Sequence, residues 1–275
     1  DEYLASQGVA GLSGVDTRAL TRKLRSHGVM MGILTRAASS KEALAQLNEV
    51  PRYGTTDLVN QVSTVETYQW RDSPHDFYGQ IPDQEMPCIV VTDYGVKYNV
   101  MRILERRGCK VLTVPAQISA EELLALNPDG VVFSPGPGDP ALLEYAVHTA
   151  RIVTEQLPVL GICLGHQVVA RAFGAQTYKL KFGHRGANHP VQELSTGRVF
   201  ITAQNHGYAV DGESLPGCLV VTHRELNDGT IEGIRHCSMP VLTIQYHAEA
   251  SPGPRDNEHI FDEFLANVRQ FKIDR

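Results

Sequence analysis

Between residue 87 and about residue 175, short apolar runs alternate with longer amphipathic stretches. The runs contain three or four residues that are almost all apolar, which is typical of strands buried on both faces of a sheet. They lie at 88–91, 111–114, 131–133 and 159–162. The stretches between them predict helices over about 97–107, from a capping box at Ser119 onward, and over about 139–156. This alternation predicts an α/β fold with a central mostly parallel sheet flanked by helices.

Beyond about residue 175 the pattern changes to short strand-like segments joined by hairpin-type turns. The last of these segments closes at Tyr246-His247, and a final helix is predicted over about 256–271. Active sites of parallel α/β sheets lie at the carboxyl ends of the strands. Polar residues that directly follow strands are therefore the first candidates for chemistry.

The first 50 residues predict a smaller α/β piece. Asp16 is placed to cap a helix that Gly28 would end, and residues 29–34 form an apolar run that predicts a strand. The segment from Ser39 to Glu42 resembles a capping box ahead of a second short helix. A single apolar strand needs neighbouring strands, so we interpret this piece as part of a larger domain.

Residues 51–86 are polar, rich in Pro and Gly, and without clear periodicity, which is typical of a linker. We place the domain boundary near 80–87. This divides the chain into a partial N-terminal domain with its linker, residues 1–86, and a second domain, residues 87–275.

Composition narrows the possible functions. The 275 residues are 42% hydrophobic and 20% charged with a net charge of −6, and no basic stripe suits nucleic acid. No apolar run reaches the length of a membrane span. The five cysteines are odd in number, widely spaced and free of CxxC pairs, which favours the reducing cytoplasm over a disulfide framework. The spacing of His184, His189 and His206 matches no usual zinc pattern, so no metal site is predicted.

The motif Gly161-Ile162-Cys163-Leu164-Gly165 follows a predicted buried strand and precedes a helix. Glycines on both sides permit a sharp turn, as in a nucleophile elbow. A cysteine at a helix N-terminus is favoured as thiolate, and the Leu164 N–H would face a developing oxyanion. Taken alone, the motif would equally suit an inert buried cysteine.

His247 and Glu249 are two residues apart at a predicted strand end, where positions i and i+2 share a face. The imidazole could act as general base while the carboxylate orients it. By itself the pair would more simply be a surface His–Glu contact.

The loop Gly136-Pro137-Gly138 ends another strand of the same sheet, and its backbone could complete an oxyanion hole. A plain turn with Asp139 as helix cap is an alternative that does not exclude this role. Three such features meeting at one sheet edge predict a catalytic triad of Cys163, His247 and Glu249.

These segments resemble a known family. SPGPGDP (134–140), GICLGHQ (161–167) and HAEASPGP (247–254) resemble class I, or triad-type, glutamine amidotransferases. The chain is further similar to the small, glutamine-hydrolysing subunit of carbamoyl-phosphate synthetase. That similarity lies in KFGHRGANHPV (181–191), ITAQNHGYAV (201–210) and the segments 14–34 and 92–116.

The resemblance implies hydrolysis of glutamine to glutamate and ammonia through a glutamyl thioester. It implies glutamine-binding positions at Gly136, Gly138, Leu164, Gln167, Asn205, Gly207 and Tyr208. It also implies, as partner, a large synthetase subunit that makes carbamoyl phosphate for arginine and pyrimidine synthesis. ATP and Mg²⁺ would belong to that partner, since this chain has no GxxxxGK[ST] loop and no cofactor is predicted in it.

The chain departs from the family pattern in two places. The family usually has Pro between the His and the Glu of the triad, where this chain has Ala248. The family's N-terminal domain is also longer than residues 1–86, and its first half brings a glutamine-contacting Ser. Two alternatives stay open: a glutaminase of anthranilate or guanylate synthesis, and a scaffold that binds the large subunit without catalysis.

Overall fold

The computed structural model describes residues 2–71 and 86–275, and these residues divide into two units, residues 1–50 and 51–275. The domain boundary predicted near 80–87 lies largely outside the described residues. The described part of the predicted linker, 51–71, groups with the second unit.

The first unit contains three helices in its described residues: α1 (Glu2–Ser6), α2 (Thr17–His27) and α3 (Ser40–Glu49). The predicted caps are confirmed, because the Asp16 carboxylate accepts from the Ala19 N–H at 2.8 Å and Ser39 accepts from the Glu42 N–H at 3.2 Å. Gly28 ends α2 at a φ of +86°. The predicted strand at 29–34 is wrong: the segment is irregular, since no described strand of this unit offers it a pairing partner.

The second unit begins with α4 (Val59–Val62) and β1 (Tyr68–Gln69) and continues as a regular alternation of strands and helices. The elements of this alternation are β2 (Cys88–Asp93), α5 (Tyr98–Arg106), β3 (Lys110–Pro115), α6 (Ala120–Ala125), β4 (Gly130–Phe133), α7 (Glu144–Thr154), β5 (Val159–Ile162) and α8 (Leu164–Ala172). The helix predicted over 139–156 is interrupted, because a 3₁₀ turn at Pro140–Leu142 precedes α7.

The remainder of the unit is mostly strand. Its elements are β6 (Thr177–Glu193), β7 (Val199–Val210), β8 (Leu219–Glu225), β9 (Ile231–His236), β10 (Val241–Ile244) and the final helix α9 (His259–Asp274). Strands β6 and β7 are 17 and 12 residues long, so the short segments predicted here are wrong in length.

The described strands of the second unit join one sheet in the order β1-β3-β2-β4-β5-β10-β9-β8-β6-β7. Strands β3, β2, β4, β5 and β10 pair in parallel, and we call them the parallel half. Strands β9, β8, β6 and β7 pair antiparallel, and we call them the antiparallel half. Strand β10 joins the halves, pairing in parallel with β5 and antiparallel with β9.

Helices cover both faces of the parallel half. Alternate residues of one strand point to opposite faces, so Ile89 packs with the cluster that holds α5 and α9, and Val90 with the cluster that holds α6, α7 and α8. The predicted α/β class with a parallel sheet flanked by helices is confirmed. The carboxyl ends of β4 and β5 and the chain after β10 thereby meet at one edge of the sheet.

Candidate active site

Cys163 lies at the turn between β5 and α8 with a φ of +53°. This backbone conformation is uncommon for a residue with a side chain and persists only where the surroundings hold it. The Cys163 N–H donates to the carbonyl of Ile244 on β10 at 2.8 Å. The turn leaves the sulfur at the N-terminus of α8, where the helix dipole favours a thiolate.

Glycines allow this turn to press against its neighbours. A Cβ on Gly165 would lie 2.0 Å from the carbonyl oxygen of Phe133, and a Cβ on Gly161 would lie 2.8 Å from the carbonyl oxygen of Gly165. The Gly165 N–H donates to the carbonyl of Ser134 at 3.1 Å. The glycines on each side of Cys163 are therefore needed because α8 begins in direct contact with β4.

His247 and Glu249 lie just beyond β10. Nδ1 of His247 is 2.6 Å from Oε1 of Glu249. The strand ends at Ile244, and the pair meets across a turn in which the Ala250 N–H donates to the carbonyl of His247 at 3.2 Å. The prediction that both side chains share the face of an extended strand is thus wrong, although the two side chains do meet.

Charge is concentrated on this pair. Burial disfavours the imidazolium, but the Glu249 carboxylate and the Cys163 sulfur outweigh it and raise the pKa of His247 to about 10. Burial likewise disfavours the Glu249 carboxylate, yet His247 and Lys97 outweigh it and lower the pKa of Glu249. Nζ of Lys97 lies 2.9 Å from Oε1 of Glu249, and the Asn99 side chain donates to the Glu249 carbonyl. At neutral pH the pair is therefore ionic.

The loop after β4 borders the same space. A Cβ on Gly136 would lie 2.2 Å from the carbonyl oxygen of Tyr94 and 2.8 Å from Cδ2 of Leu164, so only glycine fits. Asp139 caps the following 3₁₀ turn by accepting from the Ala141 N–H at 2.9 Å. The loop thus contains both the helix cap and the close approach to Leu164.

A cavity of about 440 Å³ opens at this edge, a volume in the range of small-molecule sites. Cys163, His247 and all the predicted glutamine positions line it, and Glu249 lies behind His247. Those glutamine positions are Gly136, Gly138, Leu164, Gln167, Asn205, Gly207 and Tyr208. Asn205 to Tyr208 lie within β7 and not in a hairpin turn. The Cys163 sulfur is 4.0 Å from the carbonyl oxygen of Asn205.

Gln167 holds the two halves of the sheet together beside the cavity. Its side-chain amide donates to the carbonyl of Tyr208 at 2.7 Å and to Oε1 of Gln245 at 2.8 Å. Only 2% of the residue is exposed. Its amide nitrogen is thus committed to the protein, and its contribution to the cavity wall is to fix β7 against α8.

Among the residues of the cavity wall that sequence reasoning missed are Tyr53, Lys97, Arg185 and His206. The Tyr53 ring stacks near that of Tyr208 with centroids 6.4 Å apart, although residue 53 belongs to a stretch interpreted as linker. Lys97 and Arg185 lie within segments that resemble the family, and that resemblance could have identified them. Another histidine, His166, follows the Cys163 turn and packs locally, with Nδ1 2.7 Å from Oγ1 of Thr243 and a pKa that burial lowers to about 3.

A cluster able to hold a metal ion adjoins the cavity at His206. The ligand atoms of His184, His206 and Glu232 lie within 4.8 Å of one another. Spacing along the sequence did not indicate this group, because its members come from three different strands.

Across residues 2–71 and 86–275, no helix combines the length and hydropathy that crossing a membrane requires.

A cysteine at a strained helix start, an ionic His–Glu pair and an amino-acid-sized cavity are together the arrangement that cysteine-dependent acyl transfer requires. Comparison with known proteins agrees. The family profile "Glutamine amidotransferase class-I" matches residues 90–267, and the profile "Carbamoyl-phosphate synthase small chain, CPSase domain" matches residues 1–34.

Individual relatives narrow the class. The carbamoyl phosphate synthase small chain of Vibrio cholerae is 47% identical over 98% of this chain and 74% of its own length. That of Symbiobacterium thermophilum is 49% identical over 97% of this chain and 72% of its own length. A crystal structure of a protein described as a GMP synthase subunit from Thermoplasma acidophilum has a TM-score of 0.61 at 23% identity, covering 68% of this chain and 96% of that one, and supports the fold.

The chain therefore belongs to the family of carbamoyl phosphate synthase small chains, enzymes built on the class I glutamine amidotransferase fold.

Proposed function

We propose that this chain hydrolyses glutamine to glutamate and ammonia, with Cys163 as nucleophile. The observation that carries the proposal is the meeting of Cys163, His247 and Glu249 at one cavity that the predicted glutamine positions line. The raised pKa of His247 keeps the imidazole protonated at neutral pH, and a positive charge beside the sulfur favours a thiolate. The thiolate form of Cys163 is the nucleophile of the proposed mechanism.

The reaction proceeds in two stages. The sulfur attacks the side-chain amide carbon of glutamine, and the backbone N–H groups of Leu164 and the Gly136 loop stabilise the oxyanion. Leu164 is the first residue of α8, so its N–H has no partner within the helix. His247 donates its proton to the departing nitrogen, which leaves as ammonia. Water, deprotonated by His247, then attacks the thioester, and glutamate and the thiolate separate.

Glu249 keeps Nδ1 of His247 engaged, so that Nε2 is the nitrogen left to exchange protons with sulfur and substrate. Lys97 bonds to Glu249 and restrains its carboxylate. In the glutamine complex, the α-ammonium and α-carboxylate groups lie towards Asn205, Gly207 and Tyr208, where β7 borders the cavity. The positive Arg185 at the same wall suits the carboxylate.

Ammonia passes to a large synthetase subunit that makes carbamoyl phosphate, a precursor of arginine and pyrimidines. The names of the relatives, at 47% and 49% identity, support this partner over the anthranilate and guanylate alternatives. ATP and Mg²⁺ act on the large subunit. The ionic His247–Glu249 pair argues against a scaffold without catalysis, because a scaffold needs no buried charge beside a cysteine.

Two measurements test the proposal. The chain is first used to capture its partner from cells, and the captured complex should synthesise carbamoyl phosphate from either glutamine or ammonia. Cys163→Ser should lower glutamine-dependent synthesis by about 10⁴-fold or more, since serine is hardly ionised at neutral pH. Ammonia-dependent synthesis should persist. A Cys163→Ser complex that uses glutamine as well as the wild type would refute the mechanism.

A further inference from the structure

Behind the cavity wall, three strands bring two histidines and a glutamate together. His184 on β6 stands directly opposite His206 on β7 in the strand register, so their side chains share a face. Glu232 comes from β9 and is fully buried, with Oε1 3.4 Å from Nδ1 of His184 and 3.8 Å from Nε2 of His206. The exposed fractions of His184 and His206 are 8% and 6%.

The backbone is shaped to aim His184 at this cluster. The β6–β7 register shifts on both sides of the His184–His206 pair, and such irregularities redirect side chains. Gly183 has a φ of +69°, and a Cβ there would lie 2.4 Å from the carbonyl oxygen of His206. A regular strand of ordinary residues could not place His184 in this position.

Outer hydrogen bonds fix which nitrogen of each ring faces inward. Nδ1 of His206 donates to the carbonyl of Tyr208 at 2.7 Å, so Nε2 carries a lone pair in the neutral ring. Nε2 of His184 donates to Oδ2 of Asp228 at 2.8 Å, which leaves the lone pair of its neutral ring on Nδ1. Such bonds, from a histidine to a carboxylate or a carbonyl, are the usual supports of metal-binding imidazoles.

The inward atoms have no hydrogen-bond partner of their own. Nδ1 of His184, Nε2 of His206 and Oε1 of Glu232 are all buried and unbonded with respect to the described residues. The other Glu232 oxygen accepts from the Gln204 side chain at 2.7 Å. With both rings neutral, two lone pairs and a carboxylate oxygen converge on one another, which is unfavourable unless a cation lies between them.

We propose that His184, His206 and Glu232 bind a divalent metal ion of the Zn²⁺ type. Two imidazoles and one carboxylate are a known zinc ligand set that leaves a position for water. The separations of 3.4 and 3.8 Å are long for hydrogen bonds. They are close to the distance of about 3.4 Å expected between two ligand atoms of a tetrahedral zinc ion with bonds of about 2.0–2.1 Å. A dication also balances the carboxylates of Glu232 and Asp228.

A proton on His184 is the competing cation. Burial disfavours that proton, but Glu232 and Asp228 outweigh burial and raise the pKa of His184 to about 9. The proton could bond to both carboxylates, yet it would leave Nε2 of His206 facing Glu232 without a partner. A metal ion satisfies all three inward atoms. It would also join β6, β7 and β9 behind Asn205 to Tyr208, and so hold the cavity wall from its rear.

The test measures binding directly and needs no glutamine. Tag-free protein is stripped with a chelator and titrated with Co²⁺, whose visible spectrum reports four-coordinate nitrogen and oxygen ligation. A near-ultraviolet sulfur-to-cobalt band would reveal binding by cysteine instead. Equilibrium dialysis with Zn²⁺ and elemental analysis give the stoichiometry. We expect one ion per chain without the sulfur band, and a melting temperature that rises with Zn²⁺.

Variants locate the ion. Glu232→Gln keeps the shape of the side chain, and His184→Asn removes a ligand; both should abolish the cobalt spectrum and the thermal response to Zn²⁺. His223→Asn is the matched control, because His223 is also buried with an unbonded Nε2 but lies outside the cluster. It should bind the ion as the wild type does.

The proposal is overturned if the wild type binds no more metal than Glu232→Gln, or if its cobalt spectrum shows the sulfur band alone. In that case a proton on His184 is the cation of the cluster. Either result leaves the glutaminase proposal untouched, because the metal measurements do not involve Cys163 chemistry. Should Glu232→Gln fail to fold, the wild-type stoichiometry and the His184→Asn spectrum decide the question.

Discussion

The two halves of the sheet contribute residues to the cavity from different positions in their strands. In the parallel half, the proposed reactive groups follow strand ends: Cys163 follows β5, and His247 follows β10. In the antiparallel half, the cavity residues lie within strands, as Asn205 and Tyr208 do in β7. Residues at strand ends can lie in strained turns that expose their side chains to the cavity. Residues within a strand have a backbone that is fixed by the neighbouring strands. The comparison suggests that the parallel half performs the chemistry and the antiparallel half recognises the substrate.

The halves also differ in what they bury. The parallel half is packed from apolar residues such as Ile89, Val132 and Leu160. The antiparallel half buries polar groups, among them Gln204, Glu225 and Glu232. Buried polar groups need defined partners, so they specify a geometry more strictly than an apolar core does. Under the proposed function, this strictness would help the antiparallel half to distinguish glutamine from similar amino acids.

The largest effects should come from substitutions of His247 and Glu249. His247→Asn should lower kcat for glutamine hydrolysis by on the order of 10³–10⁴-fold, because the variant cannot shuttle the proton. Glu249→Gln should cost less, about 10²–10³-fold, since His247 remains while losing its orienting carboxylate. Steady-state glutaminase assays measure both, and KM should change little in either variant.

The order of the two losses separates the roles of the two residues. If Glu249→Gln were as damaging as His247→Asn and also raised KM strongly, the carboxylate would contact the substrate. Equal and negligible losses would remove the triad from consideration. Lys97 bonds to Glu249, so the Lys97 side chain should change position in Glu249→Gln. A crystal structure of the variant would show this change.

The same pair should make stability depend on pH. The pKa of His247 is raised from 6.5 to about 10, so its contribution is fully present below about pH 6.5 and is lost as the pH rises towards 10. Denaturant unfolding between pH 7 and 10 should show the free energy of unfolding falling by a few kcal/mol. In Glu249→Gln the fall should be clearly smaller. Parallel curves for the two proteins would contradict the ionic pair.

Packing at the elbow gives the next largest effect. Gly165→Ala places a Cβ 2.0 Å from the Phe133 carbonyl oxygen, and backbone on both sides cannot yield cheaply. We expect a loss of about 3 kcal/mol or more in the free energy of unfolding. Gly217→Ala is the control, because nothing lies within 4 Å of its Cβ and its φ is not positive. Urea unfolding should show the control within about 0.5 kcal/mol of the wild type.

What the sequence could predict follows the same division. The parallel half was predicted well, since runs such as 159–162 are apolar throughout and strands buried on both faces require this. The caps at Asp16 and Ser119 were also predicted, because they depend on local hydrogen bonds. The spacing of His247 and Glu249 predicted that their side chains meet, as they do, but it did not predict the turn that joins the two residues.

The remainder depended on contacts between distant residues. The apolar run at 29–34 looks like a strand but has no pairing partner among the described residues of its unit. His206 meets Glu232 only because the fold brings β7 and β9 together, and nothing in the sequence around either residue indicates this. Tyr53 reaches the cavity from a segment without periodicity. Tertiary packing, which no short window contains, decided each of these cases.

Substrate recognition should be sensitive to a single methyl group. In Gly207→Ala the new Cβ would lie 3.3 Å from Oη of Tyr53 and 3.6 Å from Nη2 of Arg185, narrowing the cavity. We expect KM for glutamine to rise about tenfold, equivalent to about 1.4 kcal/mol, with kcat nearly unchanged. A fall in kcat at constant KM would mean that β7 takes part in the chemistry.

The matched control for this variant is Gly212→Ala. Its Cβ would also meet its nearest atom, on Ile231, at 3.3 Å, and neither glycine has a positive φ. Gly212 does not line the cavity. The control should therefore show the kinetic constants of the wild type, and equal KM values for the two variants would indicate a general loosening of the antiparallel half.

The smallest effect is expected where the halves join, at Ala248. The Ala250 N–H donates to the His247 carbonyl, so Ala248 occupies the second position of a four-residue turn, where proline is favoured. A proline there also requires the preceding residue to be extended. The N–H of His247 donates to the carbonyl of Ala203 on β7 at 2.9 Å, which holds the residue before the turn in place. Ala248→Pro should thus raise stability by about 0.4–1 kcal/mol, by restricting the unfolded chain. Glutaminase activity should be equal or higher, since the turn that positions His247 and Glu249 is retained. A marked loss of kcat together with a lower melting temperature would show that this protein's turn depends on a conformation that proline cannot adopt.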